Sequence, residues 1–373
     1  MGKITERVIL ILNLVGVLAM LIAYLAPLVN PSKMVLPALF GLAYPYLLML
    51  HLAFVCYWLI RLKKEVLISL AVILLGWNHL NNLVPLNFRA SEIPVNTSQD
   101  DYLKVLSYNV RGFDIYQWSE EPEAKKEIFN FIETQEPQLV CFQEYYTSSI
   151  SGQTHIDISG QLNDLPYSAV YYSADHTNQN GFGIATFSQY PILKKSRIPF
   201  NSSFNAAMYT DILFHSDTIR IFNIHLQSIR LQKDNYAFMD TARLAYSTEQ
   251  MNEIRAIGSR LKTAFTLRAE QAQVISRYIK ESPYPVMVIG DFNDTPLSYA
   301  YRKINRGLND AFRKSGRGFG NTYAGELPSL RIDYILYGPP LLCSDFKRIK
   351  TDYSDHYPIS ATLFLGNLSL SGK

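Results

Sequence analysis

Cysteine is scarce in this sequence. Only three of the 373 residues are cysteines, and no C-x-x-C or Cys/His spacing occurs, which excludes the common structural zinc sites. Cys141 follows an apolar strand-like run and Cys343 stands just after two prolines. A disulfide between them is the alternative, but we expect small buried thiols. A repeat at solenoid periods is also missing, which argues against a repeat architecture.

A strong excess of one charge sign is missing too. The net charge is +3, and residues 1–89 hold seven Lys and Arg against two acidic residues. The remainder therefore carries 28 basic and 30 acidic residues. Such a near-neutral part offers no electrostatic footprint for a polyanion, which disfavours long duplex DNA as a partner. With 48% hydrophobic residues, the chain is too apolar to be disordered.

Long hydrophobic runs are present, and they lie near the N-terminus. Residues 8–29 and 35–60 are almost wholly apolar and long enough to cross ~30 Å of hydrocarbon. Residues 66–77 begin a third run that polar residues dilute, so it is either a third span or an interfacial or re-entrant helix. The first run lacks a small-x-small cleavage site and another run follows, unlike a cleavable signal. We predict a membrane domain over residues 1–88 with two or three transmembrane helices and the bilayer as partner.

Basic residues around these runs predict an orientation. Lys3 and Arg7 flank the first run and three basic residues within 61–64 follow the second, whereas Lys33 stands nearly alone between the two. The positive-inside rule then places the N-terminus in the cytoplasm. Three spans put everything after residue 90 on the outer, periplasmic or extracellular side, whereas two spans reverse that side. We expect an integral membrane protein with the outer placement.

The rest of the chain alternates strand-like and helical patterns. A polar, aperiodic stretch over 89–101 predicts a linker, residues 102–366 a single domain, and residues 367–373 a tail. Helices are expected over 122–135 and 266–282, with a polar helical insertion over 234–262. Many strands with few, clustered helices indicate α+β, two sheets packed face to face with helices outside. The predicted strands cover 102–110, 137–144, 167–173, 181–188, 208–214, 218–226, 285–293, 331–338 and 356–365.

Polar side chains recur where these strands end or break. Asp291 and Asn293 close the apolar run VMVIGDFN, and residues two apart in a strand share a face. An Asx-rich turn is the plain alternative. A lone strand histidine is usually a core or edge residue, and Asp333 has Arg331 nearby as a partner. The whole set favours a hard divalent cation and a phosphate. Its members are Asn109, Glu144, Asn223, His225, Asp291, Asn293, Asp333, Asp355 and His356.

Seven motifs occur in an order that resembles the endonuclease/exonuclease/phosphatase superfamily. They are YNVRGFD, CFQE, NGFGIATFSQYPI, NIHL, GDFND, RIDYIL and SDHYPI. The resemblance covers about 102–365 and leaves the membrane part outside. It implies a four-layer α/β/β/α sandwich of the DNase I-like type, here preceded by transmembrane α-helices. It also implies a metal-dependent phosphoesterase.

The resemblance also implies a metal site. Glu144 resembles the principal Mg²⁺ ligand (Mn²⁺ is the alternative ion), with Asn109 beside it and Asp355 helping to hold metal or water. Such a metal keeps waters and a position for a phosphate oxygen.

Catalytic roles follow in the same way. Asp291 resembles the residue that orients or deprotonates the attacking water, and Asn293 one that donates a hydrogen bond to phosphoryl oxygens. His356 is expected at the scissile phosphate, with Asp333 fixing its tautomer and favouring its cationic form. His225 resembles the second histidine of the DNase-like and sphingomyelinase-like branches.

Substrate contacts are the least defined part of the resemblance. Arg111, Asn180 and Asn223 are candidates for substrate binding. The alternatives are a surface charge for Arg111 and a turn residue for Asn180. Arg268 is either a further candidate or half of a helix-face salt bridge, and Tyr145 is expected to be a packing aromatic.

Together with the apolar runs, the resemblance implies a membrane-tethered, Mg²⁺-dependent hydrolase of a phosphodiester or phosphomonoester. A lipid head group is the favoured substrate. The close alternative is a metal-dependent nuclease acting on nucleotides or nucleic acid. A non-catalytic binding protein on the same fold is the rival from another class, which missing site residues would signal, and none is missing. No protein partner is indicated.

Overall fold

A computed structural model describes residues 3–85, 87, 101–115, 123–147, 162–172, 181–200, 205–229, 248–325 and 330–366. All but one residue of the predicted linker, the predicted tail, residues 234–247 of the predicted insertion and Asn180 lie outside these ranges. The chain forms two compact units. The helical unit comprises Met1–Val84, Ile229–Ala272 and Asp294–Lys303, and the sandwich unit comprises Pro85–Ser228, Gln273–Asn293 and Ile304–Lys373. The predicted domain of residues 102–366 thus contributes two segments to the helical unit.

Five helices follow one another at the start of the helical unit. They are α1 (Lys3–Tyr24), α2 (Leu36–Leu42), α3 (Tyr44–Ile60), α4 (Val66–Leu75) and α5 (Trp77–Leu83). Within the described residues, α1 alone is long and apolar enough to cross a membrane by itself. The pairs α2–α3 and α4–α5 bend by 65° and 72°, and each passes the same test only as one broken span. Pro45 in the first turn of α3 cannot continue α2. Up to three spans therefore remain compatible with the helices.

A buried polar network joins three of these helices. Asn13 of α1 donates from Nδ2 to Oγ of Ser69 in α4 at 2.8 Å, and Trp58 of α3 donates from Nε1 to Oδ1 of Asn13 at 3.1 Å. His51 Nδ1 lies 3.0 Å from the same Ser69 Oγ. Because all four side chains are buried, the hydrogen bonds fix how α1, α3 and α4 pack together.

The sandwich unit is built from two six-stranded mixed sheets. The first sheet has the order β11-β12-β1-β2-β4-β3, and the second β5-β6-β7-β8-β10-β9. Strands β1 and β2 pair in parallel, as do β7 and β8. The strands are β1 (Tyr102–Asn109), β2 (Leu139–Thr147), β3 (Tyr167–Tyr172), β4 (Gly181–Ser188), β5 (Ile192–Ile198), β6 (Ala206–Phe214), β7 (Asp217–His225), β8 (Val286–Asp291), β9 (Asn309–Asp310), β10 (Asp333–Tyr337), β11 (Leu341–Arg348) and β12 (Ile359–Leu365).

Apolar side chains fill the space between the sheets. Leu103, Val105 and Cys141 of the first sheet share a buried cluster with Ile221 and Ile289 of the second. Cys141 and Cys343 are both free and buried, so the expectation of buried thiols is confirmed. Alternate residues point outward from β1 and β2, as period-two patterning requires.

Helices cover the outer faces. Helix α6 (Ala124–Gln135) buries Ile128 and Ile132 in one cluster with Leu106 and Val140 of the first sheet. Tyr278, near the end of α7 (Thr248–Lys280), packs against Tyr209 of β6 in the second sheet. Two short helices, α8 (Tyr299–Ile304) and α9 (Ala311–Ser315), follow. The predicted four-layer α/β/β/α, DNase I-like sandwich is confirmed.

Some elements differ from the sequence-based expectation. Strands β5, β9 and β11 were not predicted, and each lies at the edge of its sheet. Edge strands carry charged residues toward water, as ILKKSRI and LLCSDFKR do, so they lack a buried apolar run. The described part of the expected insertion, residues 248–262, and the expected helix over 266–282 form one helix, α7.

Candidate active site

Three polar side chains meet across neighbouring strands of the second sheet. The parallel pairing of β7 and β8 places His225 opposite Asp291, and the antiparallel pairing of β8 and β10 places Asp333 opposite the same Asp291. Residues opposite one another in adjacent strands project to the same face. Asp291 is therefore flanked on both sides by ionisable groups at the end of β8.

The first sheet brings its own polar residues to this place. Asn109, the last residue of β1, donates from Nδ2 to Oδ2 of Asp291 at 3.1 Å and lies 3.4 Å from Oε1 of Glu144. Nε2 of His225 is 3.6 Å from both Glu144 Oε1 and Asp291 Oδ2. Glu144 therefore belongs to the same cluster as Asp291, although 147 positions separate the two along the chain.

His356 completes the cluster from the loop before β12. Its Nδ1 lies 2.9 Å from Oδ2 of Asp333, and its Nε2 lies 3.9 Å from Oδ2 of Asp291. A carboxylate that accepts from one ring nitrogen fixes the orientation of the imidazole and leaves the other nitrogen free to act. The predicted pairing of Asp333 with His356 is present. Arg331 instead pairs with Asp310 at 2.7 Å, so the alternative partner for Asp333 is wrong.

Local backbone geometry aims two of these side chains. Glu144 has a φ of 50° at a register shift between β2 and β4, where a β-bulge turns it out of the ladder. Asn293 has a φ of 51° just after β8. A Cβ on Gly290 would lie 2.1 Å from the carbonyl oxygen of Ile224, so this close approach of β8 to β7 requires glycine. Such backbone outliers collect at functional sites.

Asn293 orients Asp291. Its backbone N–H donates to Oδ1 of Asp291 at 2.7 Å, and its Nδ2 donates to Oδ2 of Asp291 and to the carbonyl oxygen of Leu226, each at 3.0 Å. The side-chain amide is thus already bonded inside the protein. Donation from Asn293 to a phosphoryl oxygen stays a prediction, because Nδ2 would first have to give up its hydrogen bond to Leu226 or to Asp291.

Asp355 and Arg111 lie on the rim of the cluster. Nε of Arg111 is 3.4 Å from Oδ2 of Asp355, and both side chains are partly exposed. Ser354 donates from Oγ to the carbonyl oxygen of Asn109 at 2.8 Å, which ties the 354–356 loop to the end of β1. Residues 111–114 all have positive φ, so the chain turns left-handed from the second residue after Asn109.

Burial and crowding of carboxylates change the ionisation of the cluster. Burial, with the nearby Asp333 carboxylate, raises the pKa of Asp291 to about 6. Burial and the charge of Asp355 raise the pKa of Glu144. Burial opposes the charged form of His356, but the carboxylates of Asp333 and Asp291 outweigh it and raise the pKa of His356 well above its ordinary value. The two carboxylates therefore favour the cationic form of the imidazole.

The donor set fits a hard divalent cation. Glu144, Asp291 and Asp355 crowd carboxylates into one place, and oxygen is the ligand type that Mg²⁺ and Mn²⁺ prefer. The side-chain oxygen of Asn109 accepts from the backbone N–H of Arg111 at 3.1 Å while its Nδ2 faces the carboxylates, so metal ligation by Asn109 requires its amide to turn over. Ligand atoms of Asp291, Asp333 and His356 also lie within 4.8 Å of one another. Nδ1 of His356 is engaged by Asp333 at 2.9 Å, so Nε2 is the ring nitrogen left for a metal ion or a phosphate. The catalytic roles of this trio stay predictions. The metal roles of Glu144, Asn109 and Asp355 stay predictions.

Two other candidates have buried structural partners. Asn223 is fully buried, and its amide donates to the carbonyl oxygen of Ala185 at 2.9 Å and accepts from Nε2 of Gln143 at 2.8 Å. The proposed substrate contact of Asn223 is therefore corrected: the side chain joins the two sheets. Arg268 forms a buried ion pair with Asp294 at 3.0 Å, which confirms the salt-bridge alternative. Tyr145 is a buried packing aromatic, as expected.

Thr322 is a positioning residue that the sequence did not reveal. Its Oγ1 accepts from the backbone N–H groups of Ile332 and Asp333 at 3.0 and 3.1 Å, and its carbonyl oxygen accepts from Tyr357 N–H at 2.7 Å. The ring of Tyr323 packs edge-on against His356. Thr322 thereby connects the backbones that carry Asp333 and His356. A single threonine in a loop carries no signal of this role in its sequence.

Comparison with known sequences gives two family matches. The description "Endonuclease/Exonuclease/phosphatase family" applies to a match over residues 106–356. A domain of unknown function, DUF8431, matches residues 6–83. A search of curated proteins found no match.

Comparison with solved structures finds similar folds at low identity. An endonuclease/exonuclease/phosphatase from Bacteroides vulgatus is 18% identical with a TM-score of 0.52, covering 71% of this chain and 99% of that chain. A family protein from Bacteroides thetaiotaomicron is 16% identical with a TM-score of 0.51, covering 71% and 98%. The human Nocturnin catalytic domain with bound sulfate is 16% identical with a TM-score of 0.50, covering 76% and 99%. These similarities show the fold of the sandwich unit.

Proposed function

We propose, from the premise that this chain belongs to the endonuclease/exonuclease/phosphatase family, that it is a membrane-tethered phosphoesterase dependent on a divalent cation. Members of that family are generally phosphoester hydrolases. The observation that carries the proposal is the placement of Asp291, which is buried between His225 and Asp333 and lies beside Glu144, Asn109 and His356. Because all the residues expected to be catalytic or to bind the metal reach this cluster or its rim, a non-catalytic binding role is disfavoured.

Each side chain has a chemical task in this proposal. Glu144, Asn109 and Asp355 would hold Mg²⁺ or Mn²⁺, which supplies charge neutralisation at the phosphoryl group when bound. Asp291 accepts the proton of the attacking water, and a raised pKa suits a general base near neutral pH. His356 stays cationic beside Asp333 and stabilises the charge that develops on the phosphoryl oxygens.

The leaving-group side is assigned to His225. Its Nε2 lies within 3.6 Å of Glu144 and Asp291, so it is placed to donate a hydrogen bond or a proton as the ester bond breaks. Arg111 at the rim offers a guanidinium for a phosphate oxygen of the substrate.

A lipid head group is the substrate class that we favour. Helix α1 is long and apolar enough to cross a bilayer, and an enzyme held at a membrane meets head groups at high local concentration. The near-neutral charge of residues 90–373 gives little attraction for a nucleic acid polyanion. A nuclease acting on nucleotides or single strands is the alternative.

Hydrolysis by the full-length protein in detergent tests the metal dependence. We expect turnover of a generic phosphodiester or phosphomonoester with Mg²⁺ and its loss with excess chelator, restored by added Mg²⁺ or Mn²⁺. Unchanged turnover under chelation would contradict the metal hypothesis. A panel of phospholipids, nucleotides and single-stranded oligonucleotides then separates the lipid-directed enzyme from the nuclease.

The outer placement of the sandwich unit is a proposal with its own test. It requires α1, α2–α3 and α4–α5 each to cross the bilayer, with the basic residues of 61–64 in the cytoplasm. Fusions at the C-terminus to a reporter active only outside the cytoplasm should be active. Fusions to a cytoplasm-only reporter should be silent, and activity there would contradict this topology.

A further inference from the structure

The segment that follows the catalytic strand packs with the N-terminal helices. Asn293 is the last residue of the sandwich unit in this part of the chain, and residues 294–303 belong to the helical unit. We call residues 294–303 the post-strand segment and helices α1–α5 the helical bundle. The post-strand segment begins one residue after Asn293 and three after Asp291.

Leu297 anchors the post-strand segment in the bundle. Only 2% of its surface is exposed, and it belongs to the buried cluster formed by Met20 of α1, Tyr44 and Leu48 of α3, and Val72 and Ile73 of α4. A methyl group on Gly41 of α2 would lie 2.5 Å from Cβ of Ala26 and 3.5 Å from the carbonyl oxygen of Leu297. Gly41 therefore has no space for a larger residue because of Ala26, and a methyl group there would meet the backbone of the post-strand segment at ordinary van der Waals distance.

Buried polar contacts hold the same segment at its start. Nε of Arg268 donates to Oδ2 of Asp294 at 3.0 Å, and both side chains are buried. Asp294 Oδ1 accepts from the N–H of Thr295, and Ser298 Oγ accepts from the N–H of Tyr301, each at 3.0 Å. Removing one partner of a buried ion pair is strongly destabilising, because it leaves an uncompensated charge inside the protein.

We propose that the helical bundle positions the catalytic end of β8 through Leu297, and is not only an anchor; this inference rests on the function proposed above. Asn293 holds a left-handed φ of 51° while bonding both oxygens of Asp291. A residue in this region keeps its conformation only where its surroundings impose it. Along the chain, β8 precedes Asn293, and the post-strand segment, whose Leu297 is buried among residues of the bundle, follows it. Leu297 is thus a positioning residue for Asp291 and Asn293.

Kinetics of full-length variants in detergent, with a water-soluble phosphoester as substrate, test the positioning role. We expect Leu297→Ala to lower kcat at least about tenfold, because small displacements of a catalytic group cost up to ~100-fold, while KM stays nearly unchanged. Leu297→Met, which conserves volume, should restore kcat to within about twofold of the unchanged protein. The matched control is Ser69→Ala, which removes the contacts of Ser69 Oγ with Asn13 and His51 but does not alter the post-strand segment. It should lower Tm but leave kcat within about twofold.

Hydrogen exchange supplies a readout that does not need activity. Leu297→Ala should increase exchange in peptides covering residues 286–293, and Ser69→Ala should not. Equal kcat in Leu297→Ala and the unchanged protein, or equal kcat losses in both variants, would overturn the positioning role. Should the unchanged protein hydrolyse no phosphoester at all, the proposed function fails by itself. The exchange comparison then still decides whether the bundle holds the end of β8.

Discussion

Replacement of Asp291 by alanine is expected to lower kcat at least ~100-fold, since it removes the proposed general base. Asp291 lies within hydrogen-bonding distance of Asn109 and Asn293, so the loss also frees two amides that now orient the carboxylate. The matched control is Asp217→Ala, which removes an exposed aspartate at the opposite end of the same sheet, where β7 begins. That variant should keep full activity.

Replacement of Asp291 is expected to raise thermal stability although it lowers kcat. The pKa of Asp291 is raised to about 6 by burial and by Asp333, above the ~3.9 of an unfolded aspartate. Ionisation of Asp291 therefore costs free energy of folding; this cost is absent below pH ~3.9 and complete above pH ~6. In the chelated protein, Asp291→Asn should raise Tm near pH 7.5 and change it little near pH 4. A kcat loss below tenfold for Asp291→Ala would mean that Asp291 is not the general base. A fall in Tm near pH 7.5 for Asp291→Asn would mean that ionisation of Asp291 does not destabilise the fold.

The sequence could indicate which polar residues lie at strand ends, but not how each side chain is aimed. The two-residue spacing of Asp291 and Asn293 predicted a shared strand face, whereas β8 ends at Asp291 and Asn293 has a φ of 51°. The backbone N–H of Asn293 donates to Oδ1 of Asp291, which is the Asx turn named as the alternative. The structure adds what spacing cannot give, the registers that align His225 and Asp333 with Asp291. Registers depend on pairing between distant segments, which one sequence does not specify by itself.

The errors at the site have a common physical origin. Asn223 lies two residues before His225, so the spacing in the sequence places both on one face of β7. Asn223 is further from the end of the strand, however, and there its amide hydrogen-bonds Ala185 and Gln143 of the first sheet. Depth along a strand is decided by the packing of two sheets, which periodicity does not contain. Thr322 was missed for the same reason, because its role exists only once Asp333 and Tyr357 are adjacent in space.

The division into units was also beyond sequence patterning. The apolar runs predicted the helices of the bundle, and the motifs predicted the sandwich. Nothing in the stretch DTPLSYAYRK marks it as part of a core with α1, α3 and α4, because Leu297 is its one long aliphatic side chain. Segments assigned by motif to one domain can therefore pack in another, and here that segment adjoins the catalytic residues.

Replacement of His356 by alanine is the other change with a large expected effect, a loss of kcat of at least ~100-fold. Burial opposes its cationic form, but the carboxylates of Asp333 at 2.9 Å and Asp291 at 3.9 Å outweigh it and raise the pKa of the imidazole. Alanine thus removes the positive charge proposed to face the phosphoryl oxygens. His215→Ala is the matched control, an exposed histidine in the β6–β7 turn, and should retain full kcat.

Asp333→Asn separates the charge of His356 from its placement. Asparagine keeps the shape and can still accept the hydrogen bond from Nδ1, but it lacks the carboxylate charge that favours the imidazolium. Its kcat should therefore fall less than that of His356→Ala, and Thr322 still holds the backbone of residue 333 in place. If His356→Ala and Asp291→Ala both lost less than tenfold in kcat while binding substrate normally, the chemistry would have to lie elsewhere in the sandwich. The cluster would then have a structural role, because a catalytic role requires kcat to fall when the charge of this imidazole is removed.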